Sequence, residues 1–361
     1  MKIAVLTSGG VDSSVALRLL HEQGYELTAF YLKIWLEDEL QHLGDCPWAE
    51  DLSFVQKICS RIGVPLRIIP MQKEYWDRIV QYTIQESKAG CTPNPDVLCN
   101  QFIKFGAFYD QIDDSFEKVA TGHYAQAEEK EGQFFLRKAP DPIKDQTYFL
   151  SRLNQKQLSR ALFPIGHLMK SEVRALAEKY DLPNQHRKDS QGICFLGKFK
   201  YRDFLHHHLG EQKGDFVERE TGKKIGEHLG YFHYTIGQRQ GLNLSGGPWF
   251  VVDKDIPKNI VYISNGYEPE EVYKSEFDVE ELRWIASSSE DPSTPLGMTK
   301  RYGDANLFVK IRHGESIHEC TLKIEGDRGH VTLKEPVHGV AAGQFAVFYN
   351  QEYCLGAGVI L

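Results

Sequence analysis

The stretch that decides the fold is Lys2-Ile3-Ala4-Val5-Leu6-Thr7-Ser8-Gly9-Gly10-Val11-Asp12-Ser13-Ser14, at the start of a 361-residue chain. Ile3 to Leu6 is continuously apolar, the pattern of a strand covered on both faces. From Ser13 to Gln23 the residues Val15, Ala16, Leu19 and Leu20 recur at helical spacing, and Gly24 stops the run. A strand, a Gly/Ser loop and a helix in that order form a cradle for an anion. Glycines let the backbone approach closely, and the helix start offers N–H groups at the positive end of its dipole. Ser8, Ser13 and Ser14 are expected to add hydroxyl donors. Asp12 is out of place there unless it meets a metal ion or a protonated partner, and Mg²⁺ bridging phosphates is the natural reading. The loop has neither the Gly-Lys-Ser/Thr ending of a Walker loop nor GxGxxG spacing.

Working outward, apolar strands are expected at 27–32, 65–69 and 119–121, with helices at 51–62 and 75–86. This alternation predicts a doubly wound parallel sheet with helices on both faces. Ligands of such sheets sit beyond the carboxyl ends of the strands, where Ser8–Ser14, Leu32-Lys33 and Gly122-His123 would fall. Helical patterns follow at 155–161 and 170–180. After about residue 210 the texture changes to dense glycine and short strands, at 230–237, 249–253 and 260–264. From 277 onward the segments 307–312, 319–323, 330–333 and 346–349 alternate, which suggests a small β-barrel. The expected division is an α/β domain over 1–200, a small, mostly β central domain over 201–275 and a C-terminal β-barrel over 276–361.

An apolar content of 41% with 25% charged residues is ordinary for a globular protein. No apolar run is long enough to span a membrane, and the N-terminus lacks the layout of a signal peptide, so a cytosolic protein is expected. The formal net charge of −8 argues against a general polyanion binder. One local basic segment stands out: Arg187, Lys188, Lys198, Lys200 and Arg202, followed by His206-His207-His208. Seven cysteines (Cys46, Cys59, Cys91, Cys99, Cys194, Cys320 and Cys354) show no CxxC pair. That disfavours a disulfide framework and a four-cysteine metal site, and leaves most of them as small buried apolar residues.

Two cysteines sit in unusual surroundings. Gly90-Cys91-Thr92-Pro93-Asn94-Pro95-Asp96-Val97-Leu98-Cys99-Asn100 is a two-proline loop running into a helix, so Asp96 and Cys99, three apart, share a face. A helix start favours the thiolate, and a neighbouring carboxylate can move protons. An N-capping aspartate beside a buried cysteine fits the same residues. Lys188-Asp189-Ser190-Gln191-Gly192-Ile193-Cys194-Phe195 is a polar segment holding one cysteine.

SGGVDSS resembles the PP-loop of the ATP pyrophosphatase superfamily, with its adenine nucleotide alpha hydrolase-like fold. Taken with TPNPDVLCN (Thr92–Asn100), ATGHY (Ala120–Tyr124), KDQTYFL (Lys144–Leu150), KDSQGICF (Lys188–Phe195), GEHLGYFHYTIGQRQGL (Gly226–Leu242), AAGQFAVFY (Ala341–Tyr349) and CLGAG (Cys354–Gly358), the chain resembles the bacterial-type tRNA 2-thiouridylases, the MnmA family, over nearly its whole length. The resemblance implies ATP-dependent 2-thiolation of the wobble uridine, position 34, of tRNA. AMP goes to the 2-carbonyl oxygen, pyrophosphate leaves, and sulfur replaces the oxygen. It implies ATP with Mg²⁺ as cofactors. Its partners are tRNA and a persulfide-donating sulfur-relay protein or cysteine desulfurase.

By the same resemblance, Leu6, Thr7, Ser8, Gly9, Gly10, Val11, Asp12, Ser13, Leu32 and Gly122 line the ATP site. Asp96 is the acid/base at the target base. Cys194 carries the persulfide, and Cys99 attacks it, leaving a Cys99–Cys194 disulfide. Asn94, Pro95 and Asp96 face the base. His123, Lys144, Asp145, Gln146, Arg312, His313 and Gln344 contact tRNA, and the basic face is expected to include 187–202 and Lys144. Three positions depart from the family pattern: Leu32 where Met is frequent, Cys91 where a basic residue is common, and His313 where Tyr is usual. Competing readings are a superfamily member that transfers nitrogen (an amidotransferase or ligase), a non-catalytic tRNA-binding protein, and an iron–sulfur cluster held by Cys99, Cys194 and one other ligand in place of a persulfide.

Overall fold

The structure is a computed structural model, and it describes residues 1–34, 48–189, 200–266, 273–286 and 307–361. The opening strand β1 (Lys2–Leu6) is central to an all-parallel sheet. This strand is flanked by β2 (Glu26–Lys33) and β4 (Lys118–Ala120), and β3 (Leu66–Pro70) lies beyond β2. Successive residues of β1 serve opposite faces: Ala4 and Leu6 join one apolar cluster, Ile3 and Val5 another. That is why the strand reads as an unbroken apolar run. Helices Val11–Glu22, Trp48–Ile62 and Lys170–Lys179 cover the second face through Val15, Leu20, Val55, Ile58 and Val173. The sheet is therefore doubly wound, as the alternation of elements predicts.

Two strands that the sequence did not suggest follow. Ala125–Lys130 (β5) and Gln133–Lys138 (β6) form an antiparallel hairpin. The expected helix at 155–161 stops at Arg160, and Ala161–Leu162 (β7) pairs in parallel with β4. The sheet order is β3-β2-β1-β4-β7.

The central domain begins with helix Tyr201–Leu209 and holds a four-stranded sheet. Its strands are β8 (Gly214–Glu218), β9 (Lys224–His228), β10 (Trp249–Asp255) and β11 (Ile260–Asn265), in the order β10-β11-β8-β9. The strand expected at 230–237 is instead a 3₁₀ turn, Tyr231–His233. Tyr231, Phe232 and Tyr234 are all buried in one cluster. A strand would send adjacent residues to opposite faces, so the turn is the conformation that buries both Tyr231 and Phe232.

The C-terminal strands are β12 (Tyr273–Trp284), β13 (Leu307–Lys310), β14 (His318–Glu325), β15 (Arg328–His338), β16 (Phe345–Tyr349) and β17 (Tyr353–Ile360). They run β12-β15-β14-β13-β16-β17, and β17 pairs back onto β12. A closed six-stranded barrel results, with Phe277, Val309, Val331, Phe348 and Leu355 inside. The hairpin β5–β6 adds to its wall through β6 and β17. One apolar cluster runs through all three domains, including Val97, Leu98 and Cys99 of the first, Phe216 and Trp249 of the second and Phe345 and Val347 of the third. Among the described residues no helix is long and apolar enough to cross a membrane.

Candidate active site

β1 ends at Leu6 and the loop begins. Thr7 turns back into the sheet, its amide and hydroxyl both donating to the Phe30 carbonyl at 2.9 and 3.2 Å. Gly9 takes φ +75°, and a Cβ there would lie 2.6 Å from the Asp51 carbonyl oxygen at the start of helix Trp48–Ile62. Glycine is thus required twice over, by conformation and by space. Gly10 stands at the N-cap of helix Val11–Glu22 without a side-chain cap. Helix Gln155–Arg160, by contrast, starts with a full capping box between Asn154 and Gln157. An uncapped helix start at the end of a buried strand is free to hold an anion. Gly122, after β4, packs against it: a Cβ on Gly122 would be 2.6 Å from the Ser13 amide nitrogen. Leu32, half-buried near the end of β2, packs on the first-face cluster.

The loop hydroxyls shape the loop itself. Ser13 and Ser14 Oγ both donate to the Gly10 carbonyl, at 3.1 and 2.8 Å, and the Ser8 amide donates to Ser13 Oγ at 3.2 Å. Buried Asn184 braces the loop from behind, donating to the Gly9 carbonyl at 2.8 Å and to Ser14 Oγ at 2.9 Å. Arg187 donates to the same Gly9 carbonyl and pairs with Asp51.

Asp12 has a protonated partner. Lys170 Nζ lies 2.7 and 3.0 Å from its two oxygens, and Tyr124 Oη donates to it at 2.8 Å. Lys170 also pairs with Asp189 at 2.8 Å, and Asp189 further holds Lys144 at 2.7 Å and Arg174 at 2.5 Å. Burial pushes the Asp189 carboxyl up, but hydrogen bonds and charge from Lys144 and Lys170 bring it down to about 2. The expected Mg²⁺ ligand is therefore engaged by a lysine. Among the described residues no group of three or more His, Cys, Asp or Glu side chains could hold a metal ion. A resident metal does not fit this cluster of described residues, whose carboxylates already face Lys144, Lys170 and Arg174.

The second constellation lies in segment 92–105. Pro95 opens the helical turn Pro95–Leu98, which continues into Cys99–Lys104, so its missing N–H costs nothing. Asp96 is half-buried and Cys99 is 1% exposed. Asn100 ties the turn to the neighbouring segment, donating to the Asp96 and Phe149 carbonyls at 3.1 and 3.2 Å. The barrel closes over it: the Thr92 amide donates to the Ala342 carbonyl at 2.7 Å, and Gln344 Nε2 donates to the Thr92 carbonyl at 2.7 Å. The central domain grips the same root, with Tyr231 Oη on the Lys88 carbonyl at 2.5 Å and Lys254 Nζ on the Gly90 carbonyl.

Tyr148 and Phe149, in KDQTYFL but with no role expected from sequence, form the hub. Tyr148 Oη donates to the Phe345 carbonyl at 3.0 Å and hydrogen-bonds the Asn94 side chain. Phe149 stacks on His313 at 4.4 Å between ring centroids. Burial lowers the His313 pKa, and Asp145 and Asp96 partly oppose it. Arg312, beside them in sequence, is tied to the His338 carbonyl at 3.1 Å. Asn94, Asp96, His313 and Gln344 are thus brought together.

Other expected tRNA contacts face inward. Asp145 is 3% exposed, accepting from Thr147 Oγ1 at 2.8 and 3.0 Å and facing buried Lys310 at 3.6 Å. Gln146 Oε1 accepts from the Tyr124 amide at 3.0 Å. His123 packs between Phe105 and Phe163, and burial, with Lys104, holds it well below the ordinary histidine range. Within the expected basic face, Arg187 and Lys144 pair with Asp51 and Asp189, Lys188, Lys200 and Arg202 are exposed, and Lys198 lies outside the described residues. Cys194, and with it the Cys99–Cys194 pairing and the cluster alternative, lies outside the described residues. The buried thiols Cys59 and Cys320 are pushed up by burial to about 11 and about 12, as expected for inert apolar cysteines.

Family models match in three consecutive pieces: a tRNA methyl transferase HUP domain over residues 1–198, a tRNA methyl transferase PRC-barrel domain over 202–265 and an aminomethyltransferase β-barrel domain over 274–360. The tRNA-specific 2-thiouridylase MnmA of Parabacteroides distasonis is 47% identical over 100% of this chain and 99% of its own. The protein of the same name from Porphyromonas gingivalis is 45% identical, again over 100% and 99%. The U34-tRNA thiolase NcsA of Methanococcus maripaludis, solved with its [4Fe-4S] cluster, overlaps loosely, with a TM-score of 0.34 and 17% identity over 58% of this chain and 64% of that one. The family models and the relatives use different words for the group transferred. Near-half identity over the full length ties the chain to the thiouridylases.

Proposed function

The chain belongs to the tRNA-specific 2-thiouridylases, which are tRNA-uridine 2-sulfurtransferases, and from that premise we propose how its two constellations divide the reaction. Ser8–Ser14 receives the β- and γ-phosphates of ATP on the uncapped helix start, with Leu32 and Gly122 at the sides of the nucleotide. The wobble uridine, splayed from its stack, enters beside Asn94, Pro95 and Asp96. Its O2 attacks the α-phosphorus, the α–β bond breaks, and pyrophosphate leaves. A uracil carbonyl is a poor electrophile, and adenylation turns its oxygen into a leaving group.

Cys194 carries sulfur as a persulfide received from a sulfur-donor protein. Cys99 attacks the inner sulfur, the S–S bond breaks, and the outer sulfur leaves as hydrosulfide. It adds to C2 and expels AMP, while Asp96 moves the protons. Two thiols are oxidised to a Cys99–Cys194 disulfide as one sulfane sulfur is reduced, so a dithiol reductant must reset the pair. Cys99 is buried, which suits sulfur delivered away from water.

The observation that carries this reading is the continuity between the two ends. Tyr124 holds Asp12 of the loop through its hydroxyl and Gln146 through its amide. Directly beyond Gln146, Tyr148 and Phe149 meet Asn94 and His313. Segment 144–149 thus joins the phosphate end to the base end. The test is incubation with ATP, Mg²⁺, sulfide and unmodified tRNA, followed by mass analysis of the wobble uridine. A gain of one sulfur for one oxygen, with AMP released in equal amount, is expected. AMP release with nitrogen incorporated, or tRNA binding without AMP, would replace it with one of the competing readings. The rest of the tRNA would be held by Lys188 and Lys200 at the end of the first domain, Arg202 of the central domain and Arg312 of the barrel.

A further inference from the structure

A glycine–serine phosphate loop with no lysine of its own offers a triphosphate no cationic side chain. In a Walker loop that cation is part of the motif. Here Lys170 stands in the equivalent electrostatic position, delivered from a different helix. It is the first residue of helix Lys170–Lys179, and its amide is fixed by Asp141 Oδ2 at 3.0 Å. Its ammonium lies against Asp12, the second residue of the loop helix, and is 14% exposed.

We propose that Lys170, with Lys144 behind it across Asp189, is the cationic partner of the β- and γ-phosphates. This rests on the reading of Ser8–Ser14 as the phosphate loop. Among the described residues, the side chains of Lys144, Lys170 and Arg174 pair with only two carboxylates, Asp12 and Asp189. The third carboxylate, Asp141, is held by three backbone amides, those of Ile143, Lys144 and Lys170. A polyanion arriving at the helix start brings several charges against the single one of Asp12. The Lys170 ammonium then turns from Asp12 to phosphate without leaving the cluster, and Tyr124 Oη stays on Asp12 as a donor. Asp189, brought down to about 2, remains ionised and keeps both lysines in place. Lys144 is placed with the nucleotide because its ammonium shares Asp189 with Lys170.

The test measures binding of ATP, AMP and inorganic pyrophosphate to the full chain and its K170M, K170R and K144M variants, together with tRNA affinity at several salt concentrations. K170M is expected to weaken ATP and pyrophosphate about tenfold to a hundredfold, the worth of a charged hydrogen bond. AMP, which lacks those phosphates, binds as before. K170R recovers most of the loss, and K144M shows a smaller one. The salt dependence of tRNA binding stays that of the unaltered chain. Unchanged pyrophosphate affinity in K170M overturns the proposal, as does a salt slope lowered by about one per lysine. If K170M loses AMP as well, its site is misfolded and K144M decides, with unchanged pyrophosphate affinity again overturning it. Failure of the unaltered chain to bind ATP or pyrophosphate would instead sink the loop reading itself.

Discussion

The two ends of the site are built by opposite means. The phosphate end is one short stretch of chain, Ser8–Ser14, shaped by its own hydroxyls and by the glycines at 9 and 122. The base end is a helix start positioned by other domains. Asn94 and Asp96 sit on a single helical turn, held from one side by the barrel through Ala342 and Gln344 and from another by Tyr231 and Lys254 of the central domain. The bracing side chains of the phosphate end, Tyr124, Lys170, Asn184 and Arg187, all come from the first domain, so it tolerates changes in how the other two domains pack. A device assembled from three domains transmits every change in their packing to the reacting base. Substitutions at the two ends should therefore separate nucleotide behaviour from tRNA behaviour.

The largest separation is expected from Asp96→Asn. It removes the proposed proton carrier while keeping its size, and thiolation of tRNA should fall by about 10²–10⁴. ATP affinity should stay at its original value. A variant that kept thiolating at the normal rate would remove Asp96 from the chemistry. Next comes Gly122→Val, which drives a side chain into the Ser13 amide. ATP affinity should drop tenfold or more with tRNA affinity retained. If both fell together, the phosphate end would not be the self-contained device described above.

Tyr148→Phe is the corresponding test of the base end. It deletes the hydroxyl that donates to the Phe345 carbonyl and meets Asn94. The loss of a net hydrogen bond is about 1 kcal/mol, close to fivefold in an equilibrium. It should appear in KM for tRNA, with KM for ATP unmoved. A change in KM for ATP alone would mean that segment 144–149 serves the loop only.

The same contrast explains what could be read in advance. The loop, the doubly wound sheet and the barrel were legible because each rests on a period or a spacing within a few residues. Lys170 and Asn184 were not, because they reach the loop from more than a hundred positions away and their own neighbourhoods carry no motif; Tyr124 sits in ATGHY, but nothing in that motif points to Asp12. Asp12 did signal a partner, by being an acid in an anion site, and a lysine answered where magnesium was the natural guess. The hairpin β5–β6 escaped notice because its first strand, Ala125–Lys130, is largely polar and becomes ordered by pairing with β6, which β17 joins from the barrel. The aromatic run at 230–237 resembled a strand by composition. Its adjacent rings needed one common core, which a strand cannot offer. Asp145 drew its expected role from KDQ, while its burial against Thr147 and Lys310 makes it an anchor between domains.

Lys254 offers the finest test, because it touches the base end alone. Its ammonium bonds the Gly90 and Tyr234 carbonyls, and burial lowers its pKa to about 8. An unfolded lysine titrates near 10.4. Between about pH 8 and pH 10.4 the unfolded chain therefore binds one more proton than the folded chain, and stability rises with pH over that window. The slope contributed by this one group is at most about 1.4 kcal/mol per pH unit. Below pH 8 both states are protonated and the contribution is flat. Thiols and phenols also titrate in this range, so the quantity to measure is a difference. Urea midpoints of the unaltered chain and of Lys254→Gln, taken from pH 7 to pH 9.5, should diverge above pH 8 in favour of the unaltered chain. ATP affinity should show no such divergence, because Lys254 has no contact with the loop. Parallel midpoints across the range would mean that the lysine stays charged. The Gly90 root of the base-facing segment would then be held by an ion in a partly wet pocket and not by a buried amine.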